Sequence, residues 1–296
     1  MIFGEVLFDR FPDVEVLGGA PFNVAWHLRG FGEDPLLVSR VGDDEAGRRA
    51  LDSMRDWGLD PTAVGVDSEA PTGVVDVRVT GEGHAFDILP DRAYDRIEVG
   101  RVPADTRASL ICHGTLALRT EANRRALERL RRETGARSFC DVNLRPPWVV
   151  RHVVDTSLAC AHWIKLNDEE LAVVSGRPAD GREARVAAAR AVLDQRGLRA
   201  VFVTSGERGA LAVARGGVSF EASSPSVPDF VDTVGAGDAF TAVVILGLRR
   251  NWSLERILNE AVAFAARMCA RRGATVADPA LYEALRRHDG EGGHDA

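Results

Sequence analysis

Asp232-Thr233-Val234-Gly235-Ala236-Gly237-Asp238-Ala239-Phe240 leads out of a loop punctuated by Pro225 and Pro228 into an apolar run, Ala239 to Leu248, that reads as a helix. Glycines at 235 and 237 allow a tight turn and let an anionic group come close to the backbone. Amides at a helix N-terminus point outward with the positive end of the dipole behind them, which suits a phosphate. Asp238 falls in the first turn, beside whatever those amides hold. Like charges repel, so a carboxylate there is a poor phosphate ligand; it makes sense as a base that takes the proton from an attacking hydroxyl. The same nine residues also fit an ordinary capped loop-to-helix turn, because Gly and Asp are common there for conformational reasons alone.

Outward from this stretch, strands and helices alternate from about residue 100. Leu110-Ile111-Cys112, Ser138–Val142, Trp163-Ile164 and Ala200–Thr204 read as strands. Glu121–Glu133, Glu183–Arg196, 236–249 and 253–271 read as helices. Such alternation predicts an α/β fold with a mostly parallel sheet flanked by helices, whose binding residues gather beyond the carboxyl ends of the strands. Asp141 to Arg145, Asn167 to Glu170 and Thr204-Ser205-Gly206 all fall at such ends. The N-terminal third differs. Phe8–Leu17 and Thr72–Leu89 are short β-branched stretches, the second interrupted by the hairpin signal Gly81-Glu82-Gly83, with helices Pro21–Arg29 and Asp44–Trp57 between them. They predict a small β-sheet lid, built from about residues 8–18 and 72–90, over the site. The expectation is one domain over residues 1–288 and a frayed tail at 289–296.

Composition removes several classes. Lys165 is the single lysine among 37 basic residues, so the Gly-Lys-Ser/Thr of a P-loop is absent and so is the usual protein-kinase signature. A net charge of −7 argues against a nucleic-acid partner, and no apolar run approaches the ~18 residues of a membrane span. Met1 to Val6 reads as a strand starting at once, with no signal peptide. Cys112, Cys140, Cys160 and Cys269 lie far apart, without zinc-cage or disulfide spacing, and the expected compartment is the reducing cytoplasm.

Near the start stands Gly18-Gly19-Ala20-Pro21-Phe22-Asn23, where glycines let the backbone approach a small polar ligand and Asn23 offers a donor and an acceptor to hydroxyls; alone, it equally fits a strand-helix turn with a proline cap. Together with Asp-Thr-Val-Gly-Ala-Gly-Asp, this pair resembles the two signature regions of the ribokinase-like (PfkB) carbohydrate kinases, and the resemblance covers nearly the whole chain. Gly4-Glu5-Val6-Leu7-Phe8-Asp9, Val41-Gly42-Asp43-Asp44-Glu45-Ala46-Gly47, Asn167-Asp168-Glu169-Glu170 and Thr204-Ser205-Gly206-Glu207-Arg208-Gly209 are similar to further family motifs in the family's order.

The resemblance implies a ribokinase-like fold and a set of roles. Asp238 would be the base, and the amides of Gly235, Ala236 and Gly237 the anion hole. Asp9, Gly19 and Asn23 would hold the sugar, and Thr204, Gly206 and Gly209 would line the ATP. Asn167 and Glu170 would organise phosphates and Mg²⁺, Glu170 through water; as first-turn carboxylates, Glu169 and Glu170 could also simply favour the dipole of helix Asp168–Val174. Asp232 and the carbonyl of Val234 match the place where many members bind a monovalent cation, K⁺ included. Arg145 could meet a sugar carboxylate, stabilise phosphoryl charge, or pair with a nearby acid. Where ribokinases often carry an Asn beside adenine, this chain reads Ala263-Phe264-Ala265-Ala266, and Arg272-Gly273-Ala274-Thr275 resembles the family's closing turn without its usual proline.

The expectation is an ATP-dependent kinase acting on a primary hydroxyl of a fructose-like ketose. Its rivals are a 2-keto-3-deoxygluconate-type acid-sugar or nucleoside kinase and, from another class, a non-catalytic sugar-binding regulatory homologue. Neither nucleic acid nor membrane is expected as a partner. A homodimer is left open, since an exposed lid edge often finds a partner strand.

Overall fold

The computed structural model describes residues 1–80, 83–148 and 150–286. The first third contains β1 (Ile2–Phe3), β2 (Leu7–Arg10), β3 (Glu15–Gly18), α1 (Ala20–Gly30), β4 (Leu37–Gly42), α2 (Glu45–Trp57), β5 (Val64–Asp67), β6 (Gly73–Thr80) and β7 (Gly83–Ile88). The middle contains β8 (Leu110–His113), α3 (Glu121–Thr134), β9 (Arg137–Asp141), α4 (Arg151–Ala159), β10 (Trp163–Asn167), α5 (Asp168–Ser175) and α6 (Arg182–Arg196). The last third contains β11 (Ala200–Thr204), β12 (Ala210–Ala214), β13 (Ser219–Ala222), α7 (Ala236–Arg249), α8 (Leu254–Cys269) and the short α9 (Glu283–Arg286).

Nine strands form the main sheet in the order β13-β12-β11-β10-β9-β8-β1-β4-β5. From β11 to β5 every pairing is parallel. Parallel strands need crossovers, and the crossover helices cover both faces, so neighbouring strand residues are both apolar. In β9, Phe139 packs with α1, α7 and α8, while Cys140 packs with α5 and α6 on the other side. In β11, Phe202 and Val201 divide in the same way. At one edge β12 and β13 run antiparallel. Strand-helix alternation does not reveal this hairpin, because too few residues separate β11 from β12 for a helical crossover.

The small sheet has the order β3-β2-β6-β7, with β2 and β6 parallel and the other pairs antiparallel. Its strands correspond to the two β-rich stretches of the N-terminal third; residues 81–82 of the expected hairpin turn, and the expected tail at 289–296, lie outside the described residues. The root of the small sheet is tied down. The Trp148 indole N–H donates to the Ile88 carbonyl at 3.2 Å, and the buried Arg119 guanidinium stacks 4.3 Å from that ring while pairing with Asp95 at 2.7 Å. The expected strand over Met1 to Val6 is shorter than its apolar character suggests. β1 stops at Phe3, and pairing resumes in the other sheet at Leu7, so the segment between them connects one sheet to the other. Among the described residues no helix is long and apolar enough to cross a membrane.

Candidate active site

Gly235 is the N-cap of α7, at φ 75° and ψ −3°. A Cβ there would lie 2.4 Å from the Ala274 Cα, so glycine is required both by conformation and by space. The Ala236 amide is turned to the Thr233 carbonyl at 3.1 Å, whereas the amides of Gly235 and Gly237 make no such main-chain bond among the described residues. Two of the three expected anion-hole donors are therefore free, and the third is shared.

Asp238 follows in the first turn. Its Oδ2 accepts from Asn23 Nδ2 at 2.7 Å, joining α7 to α1 across 215 positions of sequence. Burial raises the Asp238 pKa from 3.8 to about 6, the nearby Asp141 charge adds to the rise, and the Asn23 bond, Lys165 and Arg145 oppose it. A carboxyl so tuned is a base near neutrality. Asn23 is buried, yet its Oδ1 has no partner. Gly18 marks where the neighbouring groups converge: a Cβ on it would sit 3.4 Å from Asp9 Oδ2 and 3.8 Å from Asn23 Oδ1. Asp9 reaches this point from β2 of the small sheet, and its desolvated carboxyl is raised to about 6, with Arg145 opposing. Gly19 caps α1 at φ 107° and backs onto the Glu5 carbonyl rather than onto open space. Arg145 is exposed and among the described residues bonds the adjacent Leu144 carbonyl at 3.3 Å, while its charge acts on Glu5, Asp9 and Asp238 together.

On the other side of Gly237 lies a cavity of about 600 Å³, lined by the expected Thr204, Gly206 and Gly209 and by Ala236 and Gly237. Its apolar wall is α8, through Val262, Ala265 and Ala266. Of the Ala263-Phe264-Ala265-Ala266 stretch, Ala265 and Ala266 face the cavity. The loop carrying Ser224 and Phe230 closes the cavity, a contribution that its sequence does not signal. Asn167 is not among the lining residues; it caps α5, accepting from the Glu170 amide at 2.8 Å. Glu170 completes a capping box, Oε2 accepting from Asn167 N at 2.8 Å, while its Oε1 accepts from Leu144 N at 2.7 Å. Its carboxylate is thus committed to the backbone, with remaining lone pairs that can meet a metal through water. Asp232 Oδ1 accepts from the Val234 amide at 2.8 Å in a largely exposed loop.

Among the described residues no group of three or more His, Cys, Asp or Glu side chains could hold a metal by itself. The donors present fit a divalent ion that arrives with nucleotide phosphates and keeps most of its waters. Two residues were missed by sequence reasoning. Lys165 joins Asp141 beneath Gly237, and its signal was a lone charge inside an apolar strand. Glu5 is buried with Oε2 unpartnered, and desolvation lifts its carboxyl to about 7.

The buried Asp238 carboxyl thus stands at the N-terminus of α7, with Asn23 and Asp9 on one side and the cavity of about 600 Å³ on the other. Residues 12–281 match the model of the pfkB family carbohydrate kinases. Fructokinase of Klebsiella pneumoniae is 32% identical over 263 residues, covering 83% of each chain. The fold is shared with fructokinase of Vibrio cholerae O395, solved with fructose, ADP and calcium (TM-score 0.79, 23% identity, 96% of this chain and 98% of that one). It is shared equally with 2-dehydro-3-deoxygluconokinase of Thermotoga maritima (TM-score 0.79, 18% identity, the same coverage). The chain belongs to the pfkB family of carbohydrate kinases and is a sugar kinase.

Proposed function

We propose that this kinase transfers the γ-phosphoryl group of ATP to a hydroxyl of a neutral ketose, fructose or a close relative. One observation carries the reading: the buried Asn23 carboxamide gives its Nδ2 to Asp238 and keeps an unpartnered Oδ1 beside Asp9. An orphaned buried acceptor is costly unless a ligand donor meets it. Two acceptors converging there suit sugar hydroxyls, which donate, better than a carboxylate, which does not. Asp9, Gly19 and Asn23 hold the sugar, and the small sheet, as the lid of a single domain over residues 1–288, excludes water.

Asp238 orients the attacking hydroxyl and takes its proton. The amides of Gly235 and Gly237, with Ala236 sharing its own, receive charge from the transferring group. Thr204, Gly206 and Gly209 position the nucleotide, with Asn167 supporting the phosphate end. Mg²⁺, held through water by Glu170, would neutralise phosphate charge when bound with ATP; Asp232 and the Val234 carbonyl offer a place for K⁺. Arg145 favours a second reading, an acid sugar of the 2-dehydro-3-deoxygluconate type, since it presents a guanidinium at the same mouth.

The test is ADP release with Mg-ATP and K⁺ against fructose, ribose, 2-dehydro-3-deoxygluconate, adenosine and no sugar. The highest kcat/KM on fructose is expected. Preference for the acid sugar, abolished selectively by Arg145→Ala, would replace the ketose reading. Sugar binding without ADP release from any of them would favour the regulatory homologue.

A further inference from the structure

Lys165 lies on β10, directly across from Asp141 on β9. Its Nζ donates to Asp141 Oδ1 at 3.0 Å and Oδ2 at 3.3 Å, and both residues are almost fully buried, at 6% and 3% exposure. Asp141 Oδ2 also accepts from Thr241 Oγ1 at 2.7 Å, and Thr241 stands one turn after Asp238 on α7. The ammonium is close beneath the phosphate cradle: a Cβ added to Gly237 would lie 3.1 Å from Nζ. Lys165 does not line the nucleotide cavity. Burial works against its charge, but Asp141, then Glu170 and Asp238, hold its pKa above the ordinary 10.5.

A buried ion pair adds little stability against an apolar pair of similar volume. Its location suggests a different use. We propose that Lys165 is a positioning residue for phosphoryl transfer, its charge offsetting Asp141 beneath the Gly235–Gly237 turn so that the Asp238 carboxylate can work as a base next to a second carboxylate. The inference rests on the reading of Asp238 as base. The charged and titratable groups facing Asp238 are Asp141 on β9, Lys165 on β10, Arg145 beyond β9, Glu5 between the sheets and Cys112 on β8, with the neutral Asn23 from α1. Of these, Asp141 is the strongest opponent of its ionisation, and Lys165 is the cation bound to that opponent.

The test compares the pH dependence of kcat/KM for wild type, Lys165→Met, Asp141→Asn and the Lys165→Met/Asp141→Asn double variant. Lys165→Met leaves Asp141 uncompensated, so the acidic limb is expected to move up by about one pH unit. Asp141→Asn leaves the ammonium uncompensated, and the limb moves down by a similar amount. The double variant, neutral at both positions, returns it towards wild type. KM for ATP and for sugar should change less than kcat, since neither residue lines the cavity beside Gly237 and their hydrogen bonds go to each other and to Thr241 rather than to Asp9 or Asn23. The double variant buries no unpaired charge, so its Tm and pH profile separate a folding defect of either single variant from the charge effect. A merely structural pair would lower activity or Tm in the single variants without moving the limb in opposite directions. An unmoved limb, with Asp238→Asn inactive, overturns this proposal alone. An active Asp238→Asn overturns the reading of the base as well.

Discussion

Gly235→Ala tests the architecture of the cradle most directly. The residue sits at φ 75°, a left-handed conformation that costs an L-residue about 1–2 kcal/mol. The new Cβ would also lie 2.4 Å from the Ala274 Cα and 2.5 Å from its Cβ, where carbon pairs normally keep about 3.5–4.0 Å. The neighbouring segment cannot easily retreat. Its Val276 carbonyl is held by the Trp26 indole N–H at 3.1 Å and the Tyr282 hydroxyl at 2.9 Å. The α7 turn must therefore move instead, by about 1 Å. A shift of that size costs about 10²-fold in rate, and loss of one anion-hole donor about 10²–10³-fold. Coupled ADP-release kinetics should show kcat down about 10²–10³-fold, and differential scanning calorimetry should show Tm down by roughly 2–8 °C. Adding Ala274→Gly removes the contact with Cβ but not that with Cα, so rescue should be partial. A Gly235→Ala enzyme with kcat within about threefold of wild type would refute the claim that this turn must hold its position for transfer.

Two further outcomes follow from titration. The folded-state pKa of Asp238, about 6, lies above its ordinary 3.8, so ionising it opposes folding increasingly as pH rises between those values. Asp238→Asn should therefore abolish turnover yet raise stability at pH 7 by about 3 kcal/mol, a gain that fades towards pH 4; a lower Tm than wild type at pH 7 would contradict this. His27 is fully buried, its ring 3.1 Å from the Tyr282 hydroxyl, and burial lowers its pKa from 6.5 to about 4. Stability is then complete above pH 6.5 and is lost as pH falls towards 4. His113 behaves alike, so urea unfolding of His27→Gln should show a shallower decline than wild type over that range, and parallel declines would discount the His27 contribution.

The α/β class, the helix opened by Gly235 and the polar strand ends were legible in the chain because they depend on local periodicity and on turn chemistry. Thr204, Gly206 and Gly209, which the family resemblance assigned to ATP, do line the cavity beside Gly237, and each belongs to a short contiguous motif. What the sequence could not order was anything defined by two distant segments. Asn23 and Asp238 meet only because α1 and α7 pack on the same face of the sheet. Glu170 looked available in sequence, but folding commits both its oxygens to backbone amides, one of them just beyond the carboxyl end of β9. Lys165 carried in sequence only an exclusion, the missing P-loop lysine. Its partner at 3.0 Å is 24 positions away, and strand register across one crossover decides that pairing. Local sequence thus determined which groups could do chemistry, and tertiary packing decided which of them share a dielectric environment and a charge balance, because desolvation and Coulomb interaction depend on distance in space rather than along the chain.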